Sequence, residues 1–266
     1  SDMQIILWLA DYYHHPIGEV FDTFCPPVLR KIIKTDTLMS AEETRYLASE
    51  EDKVFELNEE QVDCLKEIKN LKGFDPCLLY GVTGSGKTEI YLQTADSYLS
   101  KGYSILILVP EISLTPQLQE RFINRFGDNI GIYHSRQTPK QRFDLWQRAR
   151  SGDIKIVIGT RSAVLCPLYN LGLIIIDEEH DQSYKQHEGF RFSARDVSIK
   201  RAQVENIPII LGTATPSLQT LKLVEDKKYK QTNMLQRANG SNPPGFIILD
   251  INDTKLESGI AKESLD

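Results

Sequence analysis

Gly81-Val82-Thr83-Gly84-Ser85-Gly86-Lys87-Thr88 fits G-x-x-x-x-G-K-[ST] at every fixed position, and no other stretch constrains the chain as much. The apolar run Cys77–Tyr80 precedes it and Glu89–Leu99 reads as a helix, so the spacing predicts a strand, a tight glycine turn and a helix. The chemistry needs these residue types. Gly81, Thr83, Gly84, Ser85 and Gly86 let backbone N–H groups wrap phosphates, and the following helix N-terminus adds a positive field. Lys87 is expected at the β- and γ-phosphates, and the Thr88 hydroxyl at Mg²⁺.

Short Ile/Val/Leu-rich runs alternate with helical stretches downstream. The candidate strands are Cys77–Tyr80, Ser104–Val109, Ile130–His134, Lys155–Ile158, Leu173–Asp177, Ile207–Leu211 and Gly245–Leu249. Runs of this kind belong to strands covered on both faces. Strand–helix alternation implies right-handed crossovers and an α/β fold with a doubly wound, mainly parallel sheet. Upstream, residues 3–24 read as two helices broken at Pro16. Residues 28–57 read as a linker with a helix near Ser40–Ala48, and Asn58 starts the helix that leads into the main domain at 58–266.

A second acidic site follows. The apolar run Leu171–Ile176 ends in Asp177-Glu178-Glu179-His180, at the carboxyl end of a buried strand where open α/β sheets bind ligands. Asp177 is expected to hold Mg²⁺ through water and Glu178 to polarise an attacking water. Glu179 is left between a solvated charge and a functional one, and His180 between a structural and a coupling histidine.

Composition excludes several classes. With 266 residues, 41% hydrophobic and 26% charged, the chain can bury a core without metal or disulfide staples. The cysteines Cys25, Cys64, Cys77 and Cys166 form no C-x-x-C pair, which suits scattered thiols in a reducing cytosol. No apolar run reaches the roughly 20 residues that cross a bilayer. Net charge is −6, so any nucleic-acid contact must come from local basic segments. One such segment, Arg136–Arg150, is expected to be a solvated helix face rather than a site.

The motifs also carry a resemblance. Asp177–His180 and Gly212-Thr213-Ala214-Thr215-Pro216-Ser217 resemble motifs II and III of the superfamily 2 helicases. Leu108–Gln117 resembles motif Ia, and Gly159-Thr160-Arg161-Ser162-Ala163 resembles motif Ib. Ala10-Asp11-Tyr12-Tyr13, Pro16-Ile17-Gly18-Glu19, Gly81–Tyr91 and Asp177–Gln186 with Glu188-Gly189-Phe190-Arg191 resemble, more narrowly, the PriA family of bacterial replication-restart helicases (primosomal protein N′).

That resemblance implies a RecA-like P-loop domain: the first, ATP-binding lobe of a 3′-to-5′ DNA helicase acting in primosome assembly and fork restart. Residues 1–27 would be the helical remnant of an N-terminal DNA-binding domain. Gln61 would read adenine. Thr213 and Thr215 would couple nucleotide and DNA sites through His180, and Ser113, Thr115, Thr160 and Arg161 would track the DNA backbone. Asp181–Asp196 would be an aromatic-rich loop sensing single-stranded DNA. In it Tyr184, Phe190 and Phe192 would stack on bases, while Lys185, Arg191 and Arg195 would meet phosphates. The implied cofactors are ATP and Mg²⁺, and the implied partners single-stranded and forked DNA, primosome proteins and single-strand binding protein. A monomer in the cytoplasm is the default.

A complete family member is expected to continue beyond Asp266 with zinc-binding cysteines, a second lobe and a C-terminal domain. A winged-helix domain has no room in residues 28–57. On this reading the isolated chain lacks unwinding and efficient hydrolysis. The competing readings are another superfamily 2 translocase, a DNA-fork or protein-binding module with a vestigial nucleotide site, and a P-loop kinase or signalling switch. Intact Lys87, Thr88, Asp177 and Glu178 argue against the second, and the pairing of motifs II and III against the third.

Overall fold

The computed structural model describes residues 2–26, 55–134 and 136–238, together with the backbone of 256–257 and 260–261. The expected helix near Ser40–Ala48 and the expected strand Gly245–Leu249 lie outside the described residues.

Seven strands form one sheet, and every pairing in it is parallel. They are β1 (Pro76–Gly81), β2 (Ser104–Leu108), β3 (Ile130–Tyr133), β4 (Ile156–Gly159), β5 (Leu171–Asp177), β6 (Ile209–Thr213) and β7 (Lys230–Met234), in the order β3-β4-β2-β5-β6-β1-β7. A separate antiparallel pair joins β8 (Leu256–Glu257) to β9 (Ile260–Ala261).

The eight α-helices among the described residues are α1 (Asp2–Tyr12), α2 (Ile17–Phe24), α3 (Glu59–Lys69), α4 (Lys87–Leu99), α5 (Pro116–Phe126), α6 (Pro139–Ser151), α7 (Ala194–Glu205) and α8 (Leu218–Glu225). Alternation along the strands divides the core into two layers. Leu106, Leu108, Ile174, Ile176, Ile209 and Leu211 pack with α1, α2, α6 and α7. Ile105, Ile107, Leu173, Ile175 and Ile210 pack with α3, α4 and α5 on the other face. Coverage on both faces is why the strands read as continuous apolar runs.

The expected strands shift by up to two residues at their ends. β6 starts at Ile209, because Ile207 donates its N–H to Ala202 O to close α7 and Pro208 has no N–H to give. It then runs through Gly212 and Thr213, which pair with β1. β7 escapes the sequence pattern altogether. Its residues are Lys-Gln-Thr-Asn-Met, and only Thr232 and Met234 are buried, as suits an edge strand.

The N-terminal helices form as expected around Pro16 and are part of the core. Ile5, Ile6 and Leu9 of α1 and Val20 and Phe24 of α2 are buried in the layer that contains α7.

Candidate nucleotide and coupling site

Functional side chains gather at the carboxyl ends of β1, β5 and β6, three neighbours in the sheet. The turn after β1 leads into α4 through Gly86, whose φ of 89° lies in the left-handed region. A Cβ there would stand 2.4 Å from Gln61 Nε2, so this glycine permits both the turn and the close approach of Gln61.

Gln61 is fixed by two sets of bonds. It forms a capping box with Asn58 at the start of α3, each side chain accepting the other's backbone N–H at 2.9 Å. Its Nε2 also donates to Ser85 O at 2.8 Å. One Nε2 hydrogen and one Oε1 lone pair remain. From the far side Ala238 N donates to Gly84 O and Val82 N to Met234 O, so the end of β7 braces the turn.

Lys87 Nζ donates to Gly81 O at 2.8 Å and lies 3.5 Å from Glu178 Oε1. Glu178 sits at a φ of 43°, a strained conformation for a residue with a side chain. Its other oxygen holds it there, accepting from Thr213 Oγ1 at 3.1 Å and from Ala214 N at 3.4 Å. The chain of contacts continues. His180 Nδ1 is 2.8 Å from Thr213 Oγ1, His180 Nε2 is 3.1 Å from Thr215 Oγ1, and Thr215 N donates to Thr213 Oγ1. Lys87, Glu178, Thr213, His180 and Thr215 therefore form one connected polar path from the glycine turn to the loop after β6.

Asp177 stands beside this path at the end of β5. Burial pushes its carboxyl above the usual carboxylate range and neighbouring Glu178 adds to the rise, while a hydrogen bond from Tyr91 and the charge of Lys87 oppose it. A cavity of about 490 Å³ opens between these groups, lined by Gln61, Thr83, Lys87, Thr88, Asp177 and Glu178, among others.

The residues expected to face DNA divide into two groups. Thr115 is exposed and caps α5, Ser113 is half-buried, and Lys185 and Arg191 are exposed. The others are buried or half-buried and are engaged within the chain, where stacking platforms and phosphate contacts were expected to be exposed. Tyr184 is buried with its hydroxyl on Asp177 O at 2.5 Å. Phe190 and Phe192 stack on each other in the core at 5.3 Å, and Phe190 also meets the edges of Tyr13 and His15. Apolar burial outweighs exposure for these rings because the turn after α1 offers Tyr13 and His15 to receive them. Thr160 is buried. Arg161 Nη1 donates to Lys185 O at 2.7 Å and so braces the loop after β5. Arg195 is committed to buried Glu179 at 2.7 Å and to Thr220. Glu179 is thus neither solvated nor free, and it also accepts from Ser217 N at 2.8 Å.

The sequence profile of the DEAD/DEAH box helicases matches residues 58–224. The chain belongs to this helicase family. Among curated proteins it is 45% identical over 210 residues to the replication restart protein PriA of Haemophilus influenzae, across 79% of this chain and 29% of that protein. It is 51% identical over 201 residues to the replication restart protein PriA of Synechocystis, across 74% of this chain and 24% of that protein. The chain therefore spans roughly a quarter to a third of the length of these relatives. RecG in a structure bound to a three-way DNA junction superposes with a TM-score of 0.51 over 72% of this chain and 25% of that one; at 23% identity this speaks for the fold.

The helicase fold uses a nucleotide, and the residues present fit one. Ser85 Oγ is buried without a hydrogen-bond partner beside the glycine turn. No group of three or more acids, histidines or cysteines among the described residues forms a metal cage. The hydroxyl and single carboxylate of Thr88 and Asp177 instead match Mg²⁺, which takes few protein ligands and shares substrate phosphates. No helix among the described residues is long and apolar enough to cross a membrane.

Three further residues at this site were given no role from the sequence. Phe55 and Arg121 line the cavity, with the guanidinium 5.9 Å from the ring, and Arg121 pairs with buried Glu89 at 3.0 Å. Tyr91 bonds Asp177 from 86 positions away. Phe55 and Arg121 have no motif signal, and the stretch Gly81–Tyr91 assigns Tyr91 no role, because each is defined by a distant partner.

Proposed function

We propose that this chain is the ATP-binding first lobe of a DNA helicase that tracks 3′ to 5′ and acts in primosome assembly and replication restart. The observation that carries the reading is the unbroken polar path from Lys87 through Glu178 and Thr213 to His180 and Thr215. A vestigial site would have no reason to keep a strained Glu178 anchored between the cradle lysine and the loop after β6. The restart role rests on the identity to the PriA relatives and their printed name.

In this mechanism the N–H groups of the glycine turn and the start of α4 hold the phosphates, and Lys87 Nζ turns to them. Gln61 offers its remaining donor and lone pair to the adenine edge. Thr88 and Asp177 would hold Mg²⁺, which when bound would neutralise charge on the β- and γ-phosphates. Glu178 orients and polarises the attacking water. Thr213, His180 and Thr215 relay the state of the nucleotide to the DNA face. There, in this conformation, Ser113, Thr115, Lys185 and Arg191 meet the backbone and Arg161 braces the loop.

Single-stranded and forked DNA are the proposed ligands, with primosome proteins and single-strand binding protein as partners of a cytoplasmic monomer. A second lobe would supply arginines to the γ-phosphate. Their absence costs about 10³ to 10⁵ in rate. The chain by itself should therefore bind nucleotide and barely hydrolyse it, and a DNA-stimulated turnover above about 1 per second would overturn that expectation.

Calorimetry with ADP or ATP and Mg²⁺ tests the site directly. Lys87→Ala should weaken binding about tenfold or more, since it removes a charged donor to phosphate. Equal affinity in wild type and variant would remove Lys87 from the site.

A further inference from the structure

The mechanism above uses Asp177 but not what holds it. Tyr91 sits on α4 one helical turn after Lys87, so both side chains leave the same face of the helix. The two turns reach the two adjacent acids: Lys87 Nζ lies 3.5 Å from Glu178 Oε1, and Tyr91 Oη donates to Asp177 Oδ1 at 2.8 Å. The tyrosine is only 3% exposed, and its ring lies in the core layer formed by α3, α4 and α5.

The hydroxyl also requires a gap in the neighbouring strand. Gly212 pairs with Asp177 in the β5–β6 register, and a Cβ on Gly212 would stand 1.8 Å from Tyr91 Oη. The glycine after β6's apolar residues therefore vacates the space that the hydroxyl occupies. Residues from α4, β5 and β6 converge on one hydrogen bond to one carboxylate.

We propose that Tyr91 is the positioning residue for Asp177, its hydroxyl seated over Gly212 and fixing the carboxylate in the orientation that receives the divalent cation. The inference rests on the reading of this cavity as a Mg²⁺–nucleotide site. A buried carboxylate has few ways to be satisfied, and a charge-assisted hydrogen bond in a dry setting restricts it to one rotamer. Without this donor Asp177 keeps only the backbone N–H of Glu178 and is free to rotate or to recruit water, and either alternative weakens its hold on a cation.

Tyr91→Phe removes the hydroxyl and keeps the ring. ADP binding is measured by calorimetry on wild type and variant, once with Mg²⁺ and once with EDTA, and the ratio of the two affinities is the readout. The variant should lower this ratio about five- to tenfold, as expected for a lost charge-assisted bond, while affinity in EDTA stays within twofold of wild type. Gly212→Ala, which keeps the tyrosine but drives a methyl into its hydroxyl, should lower the same ratio. An unchanged ratio in Tyr91→Phe overturns the inference, and so does an equal fall with Mg²⁺ and with EDTA, which is the signature of a merely structural tyrosine. A wild-type protein that binds no ADP overturns the nucleotide-site reading itself, whereas one that binds ADP without a response to Mg²⁺ keeps that reading and overturns the cation site, and with it the role of Tyr91.

Discussion

Arg195→Ala should lower the melting temperature by about 6–20 °C. Glu179 is 1% exposed and spends its oxygens on Arg195 Nε at 2.7 Å, Ser217 N at 2.8 Å and Ser217 Oγ at 3.2 Å. Arg195 in turn donates to Thr220 Oγ1 at 2.7 Å and to Asp196. Removing the guanidinium leaves a buried carboxylate with no cation, and breaking a buried pair in this one-sided way costs about 3–5 kcal/mol. For a chain of this size each kcal/mol moves the midpoint by about 2–4 °C. Glu179→Gln should cost less than half as much, because the neutral amide still accepts from Ser217 and needs no cation. Differential scanning calorimetry separates the two. A shift below about 3 °C for Arg195→Ala would mean that water reaches Glu179 and the pair is not structural.

That pair also shows where the sequence stops being readable. The glycine turn was legible because fixed spacing, a preceding apolar run and a following helix are all local. β2 and β5 were legible because burial on both faces leaves uninterrupted apolar runs. β7 was not, because an edge strand keeps polar residues outward and shows no run. The stretch Asp181–Asp196 misleads for a different reason. Aromatic and basic residues in alternation describe a stacking surface and a buried aromatic cluster equally well, and the decision lies with the turn after α1, whose Tyr13 is far from Phe190 in sequence. Arg195 likewise reads as a phosphate contact until Glu179 proves to be buried. The coupling path was legible in its members, Glu178, His180, Thr213 and Thr215, through their motifs. The role of Tyr91 was not, since nothing local ties a tyrosine on α4 to a carboxylate on β5.

In a longer chain that includes the second lobe, Glu178→Gln should cut DNA-stimulated ATP hydrolysis by about 10² to 10⁴-fold, the range a general base contributes. Nucleotide affinity should change less than about threefold, because glutamine is isosteric and the phosphates are held elsewhere, by the glycine turn and Lys87. The geometry explains why the acid must be here. Glu178 has a φ of 43°, and a non-glycine residue in that region carries about 1–3 kcal/mol of strain. The strain persists because Thr213 Oγ1, Ala214 N and Lys87 Nζ all hold the carboxylate. The amide of glutamine keeps an oxygen for Thr213 and Ala214 but cannot take a proton from water, so the variant separates positioning from proton transfer. Phosphate release measured with single-stranded DNA, alongside calorimetric nucleotide binding, gives both numbers. Hydrolysis within threefold of wild type would transfer the base to another group and leave Glu178 as an anchor of the polar path alone. Loss of hydrolysis with binding intact would place the chemical step at Glu178 and leave Lys87 with binding.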